Sequence, residues 1–141
     1  MFAIIFWRIY KGGEKMQKRK HVLNLAVGNR KGGVHIEEAT DGNVFGYIPD
    51  VTAVCTMEIE AEAKINSLCK EKGFFDKNQR KFWRYLFPES PYKNLEINLY
   101  TTSMLSAMMA ILNVCKSLGI KVTLYHFDVK TNSYYPQLVL E

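Results

Sequence analysis

Apolar and polar residues alternate along several short stretches near the start of the chain. Residues 21–27 place Leu23, Leu25 and Val27 on one face at a period of two, which predicts a β-strand. Residues 28–33 tolerate positive φ and residues 34–38 alternate again, so we expect an antiparallel hairpin. A turn at 41–43 and a third strand at 44–48 follow. The expected N-terminal unit is an antiparallel meander.

Residues 51–65 fit two periods at once. Their odd positions are apolar, which favours a strand, but Met57, Ala61 and Ile65 also share one helical stripe. We expect a strand to about residue 59 that passes into a helix ending at Gly73. From the sequence alone, the choice between strand and helix over 51–65 stays open.

A second middle helix is predicted over residues 76–87. Asp76 suits its N-cap, with Gln79 three residues later, and Pro88 ends it. At 100° per residue its basic side chains fall within an arc of about 100°, opposite its large apolar side chains. This basic face consists of Lys77, Arg80, Lys81 and Arg84.

The last third of the chain indicates a β-α-β-β unit. Residues 95–100 and 120–128 predict strands that flank a helix over 104–118, and short connections make this a parallel crossover. Residues 134–140 close a hairpin, and Pro136 places that strand at a sheet edge. We therefore predict an α/β fold, bordering on α+β: a single-domain mixed sheet with an N-terminal antiparallel meander, two middle helices and this C-terminal unit.

The helix over 104–118 is apolar nearly all round, so it must be buried on most sides. One face can pack on the sheet, and the other needs a second layer or a second subunit. We therefore expect a homo-oligomer, most simply a homodimer, whose interface contains this helix or the sheet edge.

Composition agrees with a globular domain, with 48% apolar and 23% charged residues among 141. No apolar run of about 18 residues is present, so a membrane partner is not expected. The three cysteines are widely spaced among apolar neighbours, which predicts free, buried thiols in a reducing cytoplasm and no metal site. No cofactor is predicted. The net charge of +5 permits a nucleic acid or an acidic protein as partner.

Residues 1–15 form an apolar stretch followed by Lys11-Gly12-Gly13-Glu14-Lys15. A purine-rich bacterial ribosome-binding site, read in frame, would encode such a pentapeptide before a start codon at Met16. On this hypothesis 1–15 is a mis-annotated leader and 16–141 is the domain, from a bacterium or phage. A short N-terminal strand is the alternative, which leaves the start at Met1 or Met16 open.

The strand-to-helix turn Thr101, Thr102 and Ser103 is the candidate ligand site. A helix N-terminus attracts anions, and ligands of open α/β sheets bind at the carboxyl ends of the strands. His126 and Asp128, two residues apart on the next strand, are expected on one side of this edge. Together they would form a pocket for a nucleotide or another anion. The alternative is that the turn only caps the helix.

Two classes of function compete. The first is a non-catalytic ligand-sensing or regulatory module that binds its anion at 101–103. In layout alone the predicted fold resembles nucleotide-sensing domains with Rossmann-like topology. The second is an adaptor or inhibitor that binds nucleic acid or an acidic protein surface through the basic face of 76–87. An enzyme is less favoured, because no nucleophile, metal cluster or carboxylate pair stands out.

Overall fold

The computed structural model of the chain describes residues 21–28, 36–46, 50, 52–75, 92–102 and 104–141. The leader and the basic face of 76–87 lie outside these residues. The described residues form one sheet and two helices, with these bounds in chain order: β1 (His21–Gly28), β2 (Asn43–Phe45), α1 (Val54–Glu71), β3 (Leu95–Tyr100), α2 (Leu105–Leu118), β4 (Lys121–Asp128) and β5 (Ser133–Leu140).

The five strands form a mixed sheet in the order β2-β1-β3-β4-β5. Strands β2, β1, β3 and β4 are parallel, and β5 pairs with β4 in the antiparallel direction. This confirms the mixed α/β sheet and its C-terminal β-α-β-β unit. β5 is an edge strand, as Pro136 predicted.

The predicted N-terminal antiparallel meander is wrong. β1 pairs in parallel with both β2 and β3, and residues 37–38 form a turn, not a strand. The 14 residues between β1 and β2 are long enough for a crossover connection. An alternation with period two indicates which side chains of a strand share a face, but it does not indicate which strand is its neighbour in the sheet. Turn-forming residues over 28–33 therefore suggested a hairpin that does not form.

α1 replaces the strand expected up to residue 59. Its buried side chains Met57, Ala61 and Ile65 follow helical spacing, whereas Ile59, an odd-numbered position, is 69% exposed. The alternation was therefore coincidental, because the residues of the helical stripe are the ones that pack in the core. The helix ends before Gly73, as predicted, with the Phe74 N–H donating to the Cys69 carbonyl.

Both helices pack on one face of the sheet. Leu25, Leu99 and Leu124 from neighbouring strands lie in the same buried cluster as Ile65 of α1 and Ile111 of α2. α2 runs over Leu105–Leu118 and ends at a left-handed Gly119, within a residue of the helix predicted. No helix within the described ranges is long and apolar enough to cross a membrane.

The opposite face of the sheet carries a smaller cluster near the carboxyl ends of the strands. Ala26 is fully buried there beside Tyr100 and Ala39. The Tyr100 ring stacks on Tyr125 at 4.8 Å and meets Tyr134 edge-on at 5.1 Å. The carboxyl half of β1 is thus buried on both faces, as expected of an interior parallel strand.

The loop before β2 is tied to β1 by Asp41. One carboxylate oxygen accepts the Asn24 main-chain N–H at 2.7 Å, and the other pairs with Lys72 beyond the end of α1. A single side chain therefore joins the second crossover to the first strand. Sequence reasoning missed this residue, because an Asp-Gly pair usually signals only a turn.

Candidate functional site

The candidate turn lies at the carboxyl ends of β1 and β3, beside Tyr125 within β4. The Thr101 N–H and its hydroxyl both donate to the Tyr125 carbonyl of β4, at 3.0 and 3.2 Å. The Thr102 hydroxyl donates to the Gly28 carbonyl of β1 at 2.7 Å. These hydrogen bonds connect the turn after β3 to the strands on both of its sides.

Neither described threonine caps α2. The N-cap position is Met104, and among the described residues no side chain makes a capping hydrogen bond to the helix. The alternative that the turn is only a helix cap is therefore wrong for Thr101 and Thr102, since both hydroxyls bind strand carbonyls. Ser103 lies outside the described residues. Neither Thr101 nor Thr102 accepts from the first-turn N–H groups of α2, which carry the partial positive charge of a helix N-terminus.

The strand order reverses between β1 and β3. From β1 the chain continues to β2 on one side, and from β3 it continues through α2 to β4 on the other. Connections that leave in opposite directions open a crevice at the carboxyl ends of the two central strands. Gly28 and Thr102 stand at this reversal, joined by their hydrogen bond.

His126 and Asp128 lie on the part of β4 that extends past its pairing with β3, where β5 is the neighbouring strand. His126 Nε2 lies 2.7 Å from Gln137 Oε1, and its ring tilts against Tyr135 at 5.3 Å. Asp128 Oδ1 accepts the Lys130 N–H within the hairpin turn. The observed partners of both residues belong to the β4–β5 hairpin, so they do not form a dyad with each other.

The cysteines divide into two kinds. Cys69 and Cys115 are buried free thiols, as predicted, and burial raises the pKa of Cys69 to about 11 and that of Cys115 to about 12. Cys55 is free but exposed, so its predicted burial is wrong. It occupies the first turn of α1, on the side away from the sheet. No group of three or more metal-binding side chains occurs among the described residues.

Comparison with known proteins gives no relative. The chain matches no protein-family model, no curated protein and no solved structure.

Proposed function

We propose that this chain is a non-catalytic ligand-sensing or regulatory module that binds a nucleotide or another anion at the carboxyl edge of β1 and β3. The observation that carries the proposal is the reversal of strand order between these strands, with the turn 101–103 at its rim. Its buried thiols, Cys69 and Cys115, suit a reducing compartment such as the cytoplasm.

The anion would be held mainly by main-chain groups. Because both threonine hydroxyls bind strand carbonyls, the donors proposed for the anion are the N–H groups at the start of α2, where the helix dipole favours negative charge. Thr102 then positions the rim by fixing it to Gly28. His126 and Asp128 lie farther along the same edge, where they would contact the part of the ligand beyond the anion.

The test measures the melting temperature of the full chain with inorganic phosphate, AMP and ATP as separate probes. A ligand at about 100 times its Kd stabilises the fold by about 2.7 kcal/mol, or roughly 5–10 °C for a chain of this size. Leu105→Pro removes one N–H at a helix position that tolerates proline, so it should abolish the shift, while Leu105→Ala should preserve it.

Thr102 supplies a second, independent comparison. Thr102→Val loses the hydrogen bond to Gly28 and should weaken the ligand without unfolding the domain, while Thr102→Ser keeps the hydroxyl and should bind normally. No shift with any of the three anions, or equal shifts in the Leu105→Pro and Leu105→Ala variants, would remove the proposal.

The alternative function is an adaptor or inhibitor that uses the basic face of 76–87. The sequence feature that favours it is the grouping of Lys77, Arg80, Lys81 and Arg84 within one arc of the predicted helix. Binding of a nucleic acid duplex by that face should fall steeply with salt and disappear in Arg80→Glu/Arg84→Glu. Salt-independent binding would speak against it.

A further inference from the structure

A groove of about 340 Å³ runs between α1 and α2 on the side away from the sheet. Its α1 wall includes Glu58, Ile59 and Glu62, and its α2 wall includes Asn113 and Val114. The groove is partly open to solvent. It combines carboxylates with apolar walls, a combination that suits long cationic side chains, whose stems are apolar and whose ends are charged.

The two carboxylates lie one helical turn apart on the same wall. Asn113 Nδ2 donates to Glu58 Oε1 at 3.2 Å and orients that side chain, while Glu62 is exposed. Within the described residues neither carboxylate forms an ion pair. Two unneutralised charges about 6 Å apart produce a negative potential in the groove, which an opposite pair of charges would relieve.

Apolar side chains are also exposed on the same two helices. Ile59 is 69% exposed on the groove wall, and Leu105 and Met109 on the outward side of α2 are 66% and 47% exposed. The sequence predicted that this side of α2 needs a second layer, and no described segment covers it. An ion pair on an open surface stabilises a complex only weakly. Burial of these apolar side chains would add the favourable free energy of removing apolar surface from water.

The free edge of β5 is a less suitable contact surface. The Tyr125 carbonyl accepts from Thr101, so the main-chain groups of Tyr125 face β3, and its partner Pro136 directs its ring nitrogen to the free edge. Proline has no N–H to donate there, and it thereby protects the edge against pairing with another strand. Of the two surfaces expected to self-associate, the helix layer is the favoured one.

The charges that complement the groove occur in the same sequence. Arg80 and Arg84 are four residues apart in the sequence, as are Glu58 and Glu62, and on the helix that the sequence predicts over 76–87 this spacing would match that of the two carboxylates. Guanidinium groups bind carboxylates through two parallel hydrogen bonds. We infer that the α1–α2 groove binds the basic face of residues 77–84 from a second copy of the chain. This inference is independent of the anion site.

The test is a charge exchange between two full-length variants, followed by sedimentation velocity. The wild type should dimerise at about 50 mM NaCl, with a Kd roughly tenfold or more higher at about 500 mM. Glu58→Lys/Glu62→Lys and Arg80→Glu/Arg84→Glu should each be monomeric alone. An equimolar mixture should form a heterodimer, because each groove then meets a segment of opposite charge.

Glu60→Lys/Glu71→Lys is the matched control, since it changes the net charge equally at exposed positions of α1 outside the groove. It should dimerise like the wild type, and circular dichroism should show all variants folded. A monomeric wild type at low salt would overturn the inference, as would a dimer that survives reversal of the groove charges. Failure of the mixed variants to associate would exclude the proposed pairing of the two surfaces.

Discussion

Replacing Gly28 with alanine is expected to destabilise the domain more than any other glycine substitution among the described residues. Gly28 ends β1 at φ +111°, and a Cβ there would lie 2.2 Å from the Phe45 carbonyl oxygen of β2. Two effects lower the free energy of unfolding. A side chain at this positive φ costs about 1–2 kcal/mol, and the clash of its Cβ with the main chain adds about 1–3 kcal/mol. The expected total is roughly 2–5 kcal/mol.

Gly42→Ala separates these two costs. Gly42 has φ +96°, close to that of Gly28, but an added Cβ would have no atom within 4 Å. Its expected loss is therefore about 1–2 kcal/mol, from the backbone conformation alone. The comparison isolates the close approach between β1 and β2, which exists only because these strands are parallel neighbours.

Urea unfolding followed by circular dichroism is the suitable assay. With a slope of about 2 kcal/mol per molar urea, the added clash should lower the midpoint of Gly28→Ala by roughly 0.5–1.5 M relative to Gly42→Ala. Equal midpoints would refute the reasoning, because the β2 carbonyl would then not lie over Gly28. A normal midpoint for both variants would contradict the positive φ values as well.

Three further outcomes follow from other contacts. Asp41→Ala should lower the free energy of unfolding in urea by about 1–3 kcal/mol, because it leaves a β1 N–H unpaired. Lys72→Ala removes only one partner of a partly exposed ion pair and should lower it by less than about 1 kcal/mol. Equal losses for the two variants would contradict this. In native thiol titration Cys55 alone among the three cysteines should react, and rapid labelling of Cys69 would oppose its burial. Burial raises the pKa of Cys69 and Cys115 above 9.0, so their contribution to stability is complete below pH 9.0 and is lost as the pH rises toward about 11 and about 12. Cys115→Ala should therefore weaken this loss of stability at alkaline pH, as measured by unfolding across that range.

The elements with strong local signals were predictable from sequence. α2 combines a long apolar run with a glycine at its end, and the strands beside it alternate cleanly, so the β-α-β-β unit was predicted within a residue or two. Pro136 identified the edge strand for a reason local to its own backbone. The position of the candidate turn at the carboxyl edge followed from the same unit.

Elements whose signals were ambiguous needed the tertiary structure. The region 51–65 fits two periods, and only burial of Met57 and Ala61 under the sheet selects the helix. The exposure of Cys55 follows from its place on that helix, which apolar neighbours in sequence do not reveal. A short sequence window encodes periodicity, but it does not encode which face of the element meets the core.

Local sequence patterns were thus sufficient for the β-α-β-β unit, for the ends of α2 and for the threonine turn before it. Tertiary structure decided the direction of β1 against β2, the use of the Thr101 and Thr102 hydroxyls as links between strands, and the meeting of Glu58 with Asn113 in one groove. The difference lies in the sequence separation over which each kind of signal acts. Propensity and periodicity act over a few residues, whereas strand partners and side-chain contacts join positions that are tens of residues apart.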